Sequence, residues 1–303
     1  MTNRTPSLRY PPFEEADLSN TMVTMDELAA PHPNENDSRQ ELPGRKVALT
    51  IAGFDPSSGA GVTADLKVFW NHGIYGVAAI TALTIQSTQG VRQVQPVAGG
   101  LLRETLECLA ADLPIAGVKI GMLGSAEAAG EVSRFLTKAG IPRDRVVLDP
   151  VLVSSSGAAL LEPAGVDVLK KTLLPRVGWI TPNMDELGAL TGSDAYLHAD
   201  IPDEAGRVAA LAPGLNVVVT GGHLNPPDDF LRTADGAETW FPGSRIETTS
   251  THGTGCVFSS ALLCRLLAGD DPVDAVRGAK DFVRRALESA VPLGSGKGPV
   301  LSK

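Results

Sequence analysis

The chain has 303 residues, of which 43% are hydrophobic and 20% charged, values typical of a globular protein and unlike those of collagen, coiled coils or disordered chains. Its formal net charge of −9 argues against nucleic acid as the main partner, because a phosphate backbone requires a basic face. Three cysteines and the lack of a long apolar run predict a cytoplasmic protein without disulfides or a membrane span.

The first 44 residues differ in composition from the rest of the chain. They contain six prolines, few aliphatic side chains, and eight acidic residues against three basic ones. Such a segment buries too little apolar surface to offset the entropy that is lost when it becomes ordered. We therefore predict that residues 1–44 form a disordered acidic leader, with a docking arm as the alternative. Residues 45–303 are predicted to form a single domain.

From Lys46 onward, short apolar runs alternate with segments of helical spacing. They predict strands at 47–52, 77–83, 118–122, 146–148, 179–181 and 217–219, and helices at 61–71, 126–138, 165–173 and 255–267. Nearly continuous apolar strands separated by helices indicate an α/β fold with a mostly parallel sheet covered by helices on both faces. Residues 229–233 and 238–241 flank Asp235-Gly236 and predict a small hairpin appended to that sheet.

Ligands of open α/β sheets bind beyond the carboxyl ends of the strands, so the loops that follow the strands are the candidate site. The first of them, residues 53–61, is rich in glycine and leads into a helix, whose N-terminus attracts anions. Residues 59–64 match the G-x-G-x-x-A pattern of dinucleotide-binding domains. No Asp or Glu occurs between Leu66 and Arg103, where the acid that binds the ribose is expected, which argues against that function. A glycine-rich turn without a ligand is the other alternative.

The strongest candidate is the loop Thr251-His252-Gly253-Thr254-Gly255-Cys256 ahead of an apolar helix. Its glycines direct several backbone N–H groups at one point, which makes an anion cradle able to stabilise a transferring phosphoryl group. Cys256 stands in the first helical turn, where the helix dipole is expected to lower the pKa of its thiol. The thiolate then accepts a proton from a substrate hydroxyl. A tight turn closed by small residues is the alternative.

Single side chains in the other loops fit the same site. Gln86 offers both a donor and an acceptor, which suits the edge of an aminopyrimidine-like ring and equally suits the capping of a loop. Met122 can pack on a flat ring or fill the core. Asp149 and Glu186 lie at or just after strand ends, where carboxylates hold Mg²⁺ through water or cap helices.

Taken in order, these segments resemble the hydroxymethylpyrimidine/phosphomethylpyrimidine kinases of the ribokinase-like superfamily. The matching segments are Ala48-Leu49-Thr50-Ile51-Ala52-Gly53, Asp55-Pro56-Ser57-Ser58-Gly59-Ala60-Gly61, Ala64-Asp65-Leu66-Lys67, Thr81-Ala82-Leu83, Gln86, Thr88-Gln89-Gly90-Val91, Lys119-Ile120-Gly121-Met122-Leu123, Asp149-Pro150-Val151, Thr181-Pro182-Asn183, Gly221-Gly222-His223 and Thr251-His252-Gly253-Thr254-Gly255-Cys256. They extend over nearly all of the chain that follows the first 44 residues, and no single one of them is needed for the resemblance.

The resemblance implies a ribokinase-like fold and a kinase of thiamine biosynthesis. Such a kinase transfers the γ-phosphate of ATP to the hydroxymethyl oxygen of the pyrimidine and then phosphorylates the monophosphate again, with Mg²⁺, usually as a homodimer. Carried over by position, the family's roles place four residues at the substrate: Gln86, Met122, Gly53 and Asp55. They make Cys256 the base, beside an anion hole of Gly253, Thr254 and Gly255. They place Asp149 and Glu186 near the Mg²⁺–ATP phosphates, and Thr220, Gly221 and Asn183 at the nucleotide.

The sequence departs from the family's pattern at three positions. Thr220 stands where the family commonly has a lysine that reaches the ATP phosphates, and Lys297 replaces the histidine of a Gly-His-Gly-Pro segment. Phe54 replaces a small or polar residue and is expected to narrow the substrate pocket. These departures leave open whether both phosphorylations take place. The alternatives are a pyridoxal or pyridoxine kinase of the same superfamily and a pyrimidine-binding relative without catalytic activity.

Overall fold

Strands and helices alternate along the chain from Val47 to Ser289. The structure is a computed structural model that describes residues 45–153, 160–193, 197–222 and 224–302. Its strands are β1 (Val47–Phe54), β2 (Tyr75–Ser87), β3 (Gly90–Pro96), β4 (Ile115–Ile120), β5 (Val146–Leu148), β6 (Trp179–Ile180), β7 (Asn216–Val219), β8 (Asp229–Arg232) and β9 (Glu238–Phe241). Its helices are α1 (Gly61–Asn71), α2 (Gly99–Asp112), α3 (Ala126–Ala139), α4 (Pro163–Val168), α5 (Met184–Thr191), α6 (Ile201–Leu211), α7 (Thr254–Ala268) and α8 (Pro272–Ser289). The leader predicted at residues 1–44 lies outside the described residues.

The strands form one sheet in the order β3-β2-β1-β4-β5-β6-β7-β8-β9. From β2 to β7 all neighbours in this order pair in parallel. β3 pairs antiparallel with β2 at one edge, and β8 and β9 form an antiparallel hairpin at the other. The predicted α/β fold, the mostly parallel sheet and the appended hairpin are therefore confirmed.

The alternation of side chains along the strands divides the apolar core into two layers. Leu49 and Ile51 of β1 pack in the layer that α2 to α6 cover, whereas Ala48 packs in the layer of α1, α7 and α8. Because both faces of the sheet are covered, the central strands are apolar at nearly every position, and all but the last residue of β1 are buried.

α7 has buried residues along most of its length, and α1 and α8 pack against it. This packing fixes the N-terminus of α7 relative to the carboxyl ends of the parallel strands, where the candidate loops meet. Among the described helices, none is both long enough and apolar enough to cross a membrane.

Some elements differ from the sequence prediction. β2 continues to Ser87 and pairs with β3, so residues 84–87, which were expected to form a loop, are strand. The helix predicted at 165–173 is α4 followed by a π-helical turn at Leu169–Leu173. The sequence patterns did not identify β3, α2, α5, α6 and α8.

Candidate active site

A cavity of roughly 470 Å³, the size of a small-ligand site, opens at the carboxyl ends of the central parallel strands. Its lining brings together twelve of the thirteen residues that the sequence analysis assigned to the site: Gly53, Asp55, Gln86, Met122, Asp149, Asn183, Glu186, Thr220, Gly253, Thr254, Gly255 and Cys256. The parallel pairing explains the convergence, because the ends of neighbouring parallel strands lie at one edge of the sheet.

Asp55 organises the loop that follows β1. Its Oδ1 accepts hydrogen bonds from the backbone N–H and the hydroxyl of Ser57, at 2.8 and 2.7 Å. Its Oδ2 accepts from the backbone N–H groups of Gly59 and Ala60, at 3.1 and 2.9 Å. Burial alone would raise the pKa of Asp55, but hydrogen bonds from His252 and Ser57 lower it below its usual value. The carboxylate is therefore ionised, and both of its oxygens accept hydrogen bonds from the loop. We infer that Asp55 positions this loop.

His252 joins this carboxylate to Gln86. Its Nε2 lies 2.8 Å from Asp55 Oδ2 and 3.1 Å from the side-chain amide of Gln86. Because an ionised carboxylate only accepts, Nε2 carries the hydrogen and donates it to Asp55. Thr84 Oγ1 donates to the amide oxygen of Gln86 at 3.2 Å. Thr84 and His252 thus hold the side-chain amide of Gln86 at the edge of the cavity.

The two glycine-rich loops interlock beneath the cavity. Gly253 has a φ of 85°, and a methyl group added to it would lie 1.9 Å from the carbonyl oxygen of Gly59. A methyl group on Gly59 would lie 2.3 Å from the ring of His252. Glycine is therefore required at both positions, and the close approach holds the N-terminus of α7 beside the loop after β1.

Cys256 borders the cavity in the first turn of α7. Burial raises the pKa of its thiol to about 12, and the carboxylates of Asp65 and Asp149 raise it as well. The charge of Lys119 and a hydrogen bond from the backbone of Gly61 oppose this shift. The expectation of a lowered pKa is therefore wrong, because burial and two acids outweigh the favourable charges at the helix N-terminus. At neutral pH the thiol is protonated.

Lys119 and Asp65 form an ion pair near Cys256, and neither side chain has any exposed surface. Lys119 Nζ lies 3.0 Å from both carboxylate oxygens of Asp65, which also accept from Thr50 at 2.6 Å and Ser260 at 2.8 Å. Burial would lower the pKa of Lys119, but Asp65, Cys256 and Asp149 raise it above its ordinary value. The lysine is therefore a permanent cation beneath the site. Both residues lie in segments that match the family pattern, but no role was predicted for them.

Asp149 and Glu186 are both buried and both face the cavity. Burial raises the pKa of Glu186 to about 8, and the charge of Asp149 raises it further. Burial also raises the pKa of Asp149, against the nearby charge of Lys119 and a 3.1 Å hydrogen bond from Ser259. Glu186 also forms a capping box with Asn183 at the start of α5, so it caps a helix as well as lining the cavity.

This pair of carboxylates fits a magnesium ion held largely by water and phosphate oxygens. The charge of Asp149 raises the pKa of Glu186, so a cation beside the two acids would relieve an existing repulsion. No group of three or more His, Cys, Asp and Glu side chains in the described part of the chain is placed to hold a metal.

Thr220 borders the cavity beside Asn183, to which it is bridged through the backbone. Gly221, the next residue, does not line the cavity, and its N–H donates to Asp229 Oδ1 at 2.7 Å. The assignment of Gly221 to nucleotide binding is therefore not supported by its position. The two other departures from the family pattern, Phe54 and Lys297, both line the cavity.

Comparison with known proteins gives a family for this arrangement. The family model described as phosphomethylpyrimidine kinase matches residues 55–301. A hydroxymethylpyrimidine/phosphomethylpyrimidine kinase of Haemophilus influenzae is 40% identical over 259 residues, which cover 84% of this chain and 95% of that protein. Other relatives of similar identity carry the names of thiamine biosynthesis proteins.

Solved structures give the same fold. The crystal structure of a phosphomethylpyrimidine kinase from Clostridium difficile matches with a TM-score of 0.70 and 34% identity, covering 80% of this chain and 99% of that one. A pyridoxal kinase from Staphylococcus aureus in complex with ADP matches with a TM-score of 0.76 and 29% identity, covering 84% and 92%. The overall fold is thus shared by a phosphomethylpyrimidine kinase and a pyridoxal kinase.

Proposed function

The chain belongs to the phosphomethylpyrimidine kinase family, and on that premise we propose that it phosphorylates 4-amino-5-hydroxymethyl-2-methylpyrimidine with ATP. It then phosphorylates the monophosphate again to the diphosphate, both as steps of thiamine biosynthesis. The observation that carries this proposal is the cavity itself, whose lining includes Gln86 and Met122 together with two carboxylates and the N-terminus of α7. The first two residues suit a flat polar ring, and the others suit phosphate and its counterion.

The acceptor side recognises the ring by hydrogen bonds and packing. Gln86, oriented by His252, offers an amide to the ring nitrogen and amino group of an aminopyrimidine. Met122 is buried, and its sulfur lies 3.0 Å from the position of a methyl group added to Gly53, so the thioether and this glycine form one wall. A ring held between Gln86 and this wall directs its hydroxymethyl group toward α7.

In the first transfer, the hydroxymethyl oxygen forms a bond to the γ-phosphorus while the bond from that phosphorus to the bridging oxygen of ADP breaks. The backbone N–H groups at the start of α7 stabilise the charge on the transferring group. The hydroxyl proton passes to the thiolate of Cys256, whose own proton must first leave to solvent. Burial is the main cause that raises the pKa of this thiol to about 12, so the thiolate is the minor form at neutral pH.

Asp149 and Glu186 are the residues that would hold Mg²⁺, with Asn183 and Thr220 beside the nucleotide. The ion supplies positive charge to the β- and γ-phosphates. Thr220 offers a hydroxyl donor but no charge at this point.

The direct test is a kinase assay on the full chain with Mg-ATP and three acceptors: the pyrimidine alcohol, its monophosphate and pyridoxal. We expect both pyrimidines to be phosphorylated, with a higher kcat/KM than pyridoxal. A higher kcat/KM for pyridoxal would favour the second candidate function, which the structural match to the S. aureus enzyme supports. Binding of the pyrimidine without turnover of any acceptor would contradict both.

A substitution at Cys256 tests the proposed base. Cys256→Ala is expected to lower kcat for the alcohol by about 10²-fold or more, the usual contribution of a general base. The KM for ATP is expected to change little, since the thiol does not contact the nucleotide in this account. An unchanged kcat would remove Cys256 from the mechanism and leave the anion hole as the main contribution of this loop.

We also propose that the chain forms a homodimer, as its family usually does. Leu83 and Ile85 support this, because they lie two residues apart on one face of β2 and are 50% and 57% exposed.

A further inference from the structure

The segment of residues 294–301 brings a lysine to the acceptor side of the cavity. Lys297 and Gly296 both line the cavity. We propose that Lys297 binds the phosphate group of the pyrimidine monophosphate and thereby determines the efficiency of the second transfer. This role rests on the proposed function and extends it, since it concerns a subsite for a phosphate monoester on the acceptor.

Backbone hydrogen bonds hold this segment in a fixed register beside the loop before α7. The N–H of Gly298 donates to the carbonyl oxygen of Thr249 at 3.1 Å, and the N–H of His252 donates to the carbonyl oxygen of Gly298 at 2.9 Å. The N–H of Val300 donates in turn to the carbonyl oxygen of His252 at 3.0 Å. Lys297 therefore sits one residue from a backbone pairing with the loop that carries the anion cradle.

The other side of the segment packs closely on the turn between β2 and β3. The N–H of Gly296 donates to Thr88 Oγ1 at 3.3 Å. A methyl group on Gly296 would lie 2.0 Å from the carbonyl oxygen of Thr88, so no larger residue fits there without movement of the backbone. Lys297 is thus held between two glycines whose positions the neighbouring backbone fixes.

These contacts place the segment that carries Lys297 beside residues of the acceptor side. Its neighbours along the chain contact His252, whose ring contacts Gln86, and Thr88, which follows β2. Thr220 and Asn183, in contrast, follow β7 and β6 on the far side of the sheet order from β2. A cation on the segment is therefore suited to a charge on the acceptor.

The charge of the lining makes such a cation necessary for the second acceptor. The lining includes the acids Asp55, Asp149, Asp185 and Glu186. Among its described members, Lys297 is the one Lys or Arg. A phosphate monoester carries nearly two negative charges at pH 7 and must approach the γ-phosphate of ATP, which is also anionic. The neutral alcohol carries no such charge.

The second transfer needs charge compensation and no base. An oxygen of the monophosphate dianion forms a bond to the γ-phosphorus, and the bond from that phosphorus to the bridging oxygen of ADP breaks. The bonding electrons leave with ADP, and no proton leaves the acceptor. Lys297 compensates the charge of the acceptor phosphate, so its contribution is specific to this step.

The test measures the two transfers separately on the full chain. Lys297→Gln is expected to raise the KM for the pyrimidine monophosphate at least about tenfold, as for the loss of a charge-assisted hydrogen bond. The KM values for ATP and for the alcohol are expected to change less than about twofold. Lys297→Arg, which keeps the positive charge, should leave the KM for the monophosphate close to that of the wild type. Lys138→Gln, at an exposed residue of α3 outside the cavity lining, controls for the change in net charge.

Calorimetry makes the outcome independent of turnover. Lys297→Gln should weaken binding of the pyrimidine monophosphate about tenfold and leave binding of the alcohol unchanged. Equal losses for both acceptors, or a loss confined to ATP, would contradict the proposal. A wild-type chain that phosphorylates neither acceptor would contradict the proposed function, while the binding comparison would still decide the role of Lys297.

Discussion

Lys119 and Asp65 form an ion pair inside the core, and this pair is a sensitive point for stability. Lys119→Met leaves the carboxylate of Asp65 buried without its cation, which is expected to cost about 3–5 kcal/mol in the free energy of unfolding. Asp65→Asn should cost a similar amount, and the double variant should lose less stability than the two single variants together. Denaturant unfolding of the four proteins measures the coupling energy, and additive losses would show that the two charges do not interact.

Glu186 predicts a dependence of stability on pH in the chain without nucleotide. Its pKa of about 8 lies above the 4.5 of the unfolded chain, so between these values the unfolded state releases the proton and the folded state keeps it. The contribution of Glu186 to stability therefore falls as pH rises from 4.5 to 8.

Glu186→Gln removes this titration and keeps the cap of α5. Its stability relative to the wild type should increase between pH 5 and pH 8, by on the order of 3 kcal/mol. Thermal unfolding at several pH values measures the difference, and a constant difference across this range would contradict the raised pKa.

At single residues, the sequence was informative about location and less so about environment. It identified Asp149, Gln86 and Cys256 as members of one site, because each follows a predicted strand or begins a predicted helix. It gave the wrong direction for the pKa of Cys256, since the burial and the acids that raise it come from other elements. His252 was missed because its partners, Asp55 and Gln86, lie 197 and 166 residues away in the chain.

At the scale of elements, the junction of the loop after β1 with α7 depends on Gly253 and tolerates substitution at Gly255. Gly253→Ala should destabilise the fold by at least about 2 kcal/mol, because the residue has a positive φ and its methyl group would overlap the backbone of Gly59. Gly255→Ala should not destabilise it, since a methyl group there would lie 3.7 Å from Asp149 Oδ2, at ordinary contact distance. Denaturant unfolding distinguishes the two, and equal stabilities would contradict the interlocked loops.

The elements that the sequence patterns identified are those with a strong apolar signal of their own. β1 and α7 are apolar runs, and both are buried. β3 has polar residues on both faces and exists because it pairs with β2, so no local pattern marks it. α8 was identifiable, since Asp271 caps it, Pro272 begins it, and its apolar residues recur every three to four positions.

For the whole molecule, the proposed homodimer is open to a direct test. Replacing Leu83 and Ile85 by Asp should give a monomer if this face of β2 joins two copies, as light scattering on the eluted protein would measure. Leu211→Asp, at a 39% exposed apolar residue of α6, should leave the oligomeric state unchanged. A monomeric wild-type chain, or a dimer that persists in the double variant, would contradict this interface.

The overall architecture was predictable because it depends on the order of elements. Apolar strands alternating with helices permit few arrangements, and right-handed parallel crossovers place the strand ends at one edge. The position of Lys297 was not predictable in this way. Residues 294–301 have no periodic pattern, and their place beside the cavity follows from backbone hydrogen bonds to Thr249 and His252.

Phosphoryl transfer is expected at the start of α7, and a crystal of the full chain with Mg²⁺, a non-hydrolysable ATP analogue and the pyrimidine alcohol would test this. Oxygens of the terminal phosphate should lie about 3 Å from the backbone nitrogens of Gly255 and Cys256, with the hydroxymethyl oxygen between that phosphate and the thiol. A terminal phosphate bound away from this turn, or a pyrimidine that does not contact Gln86, would contradict it.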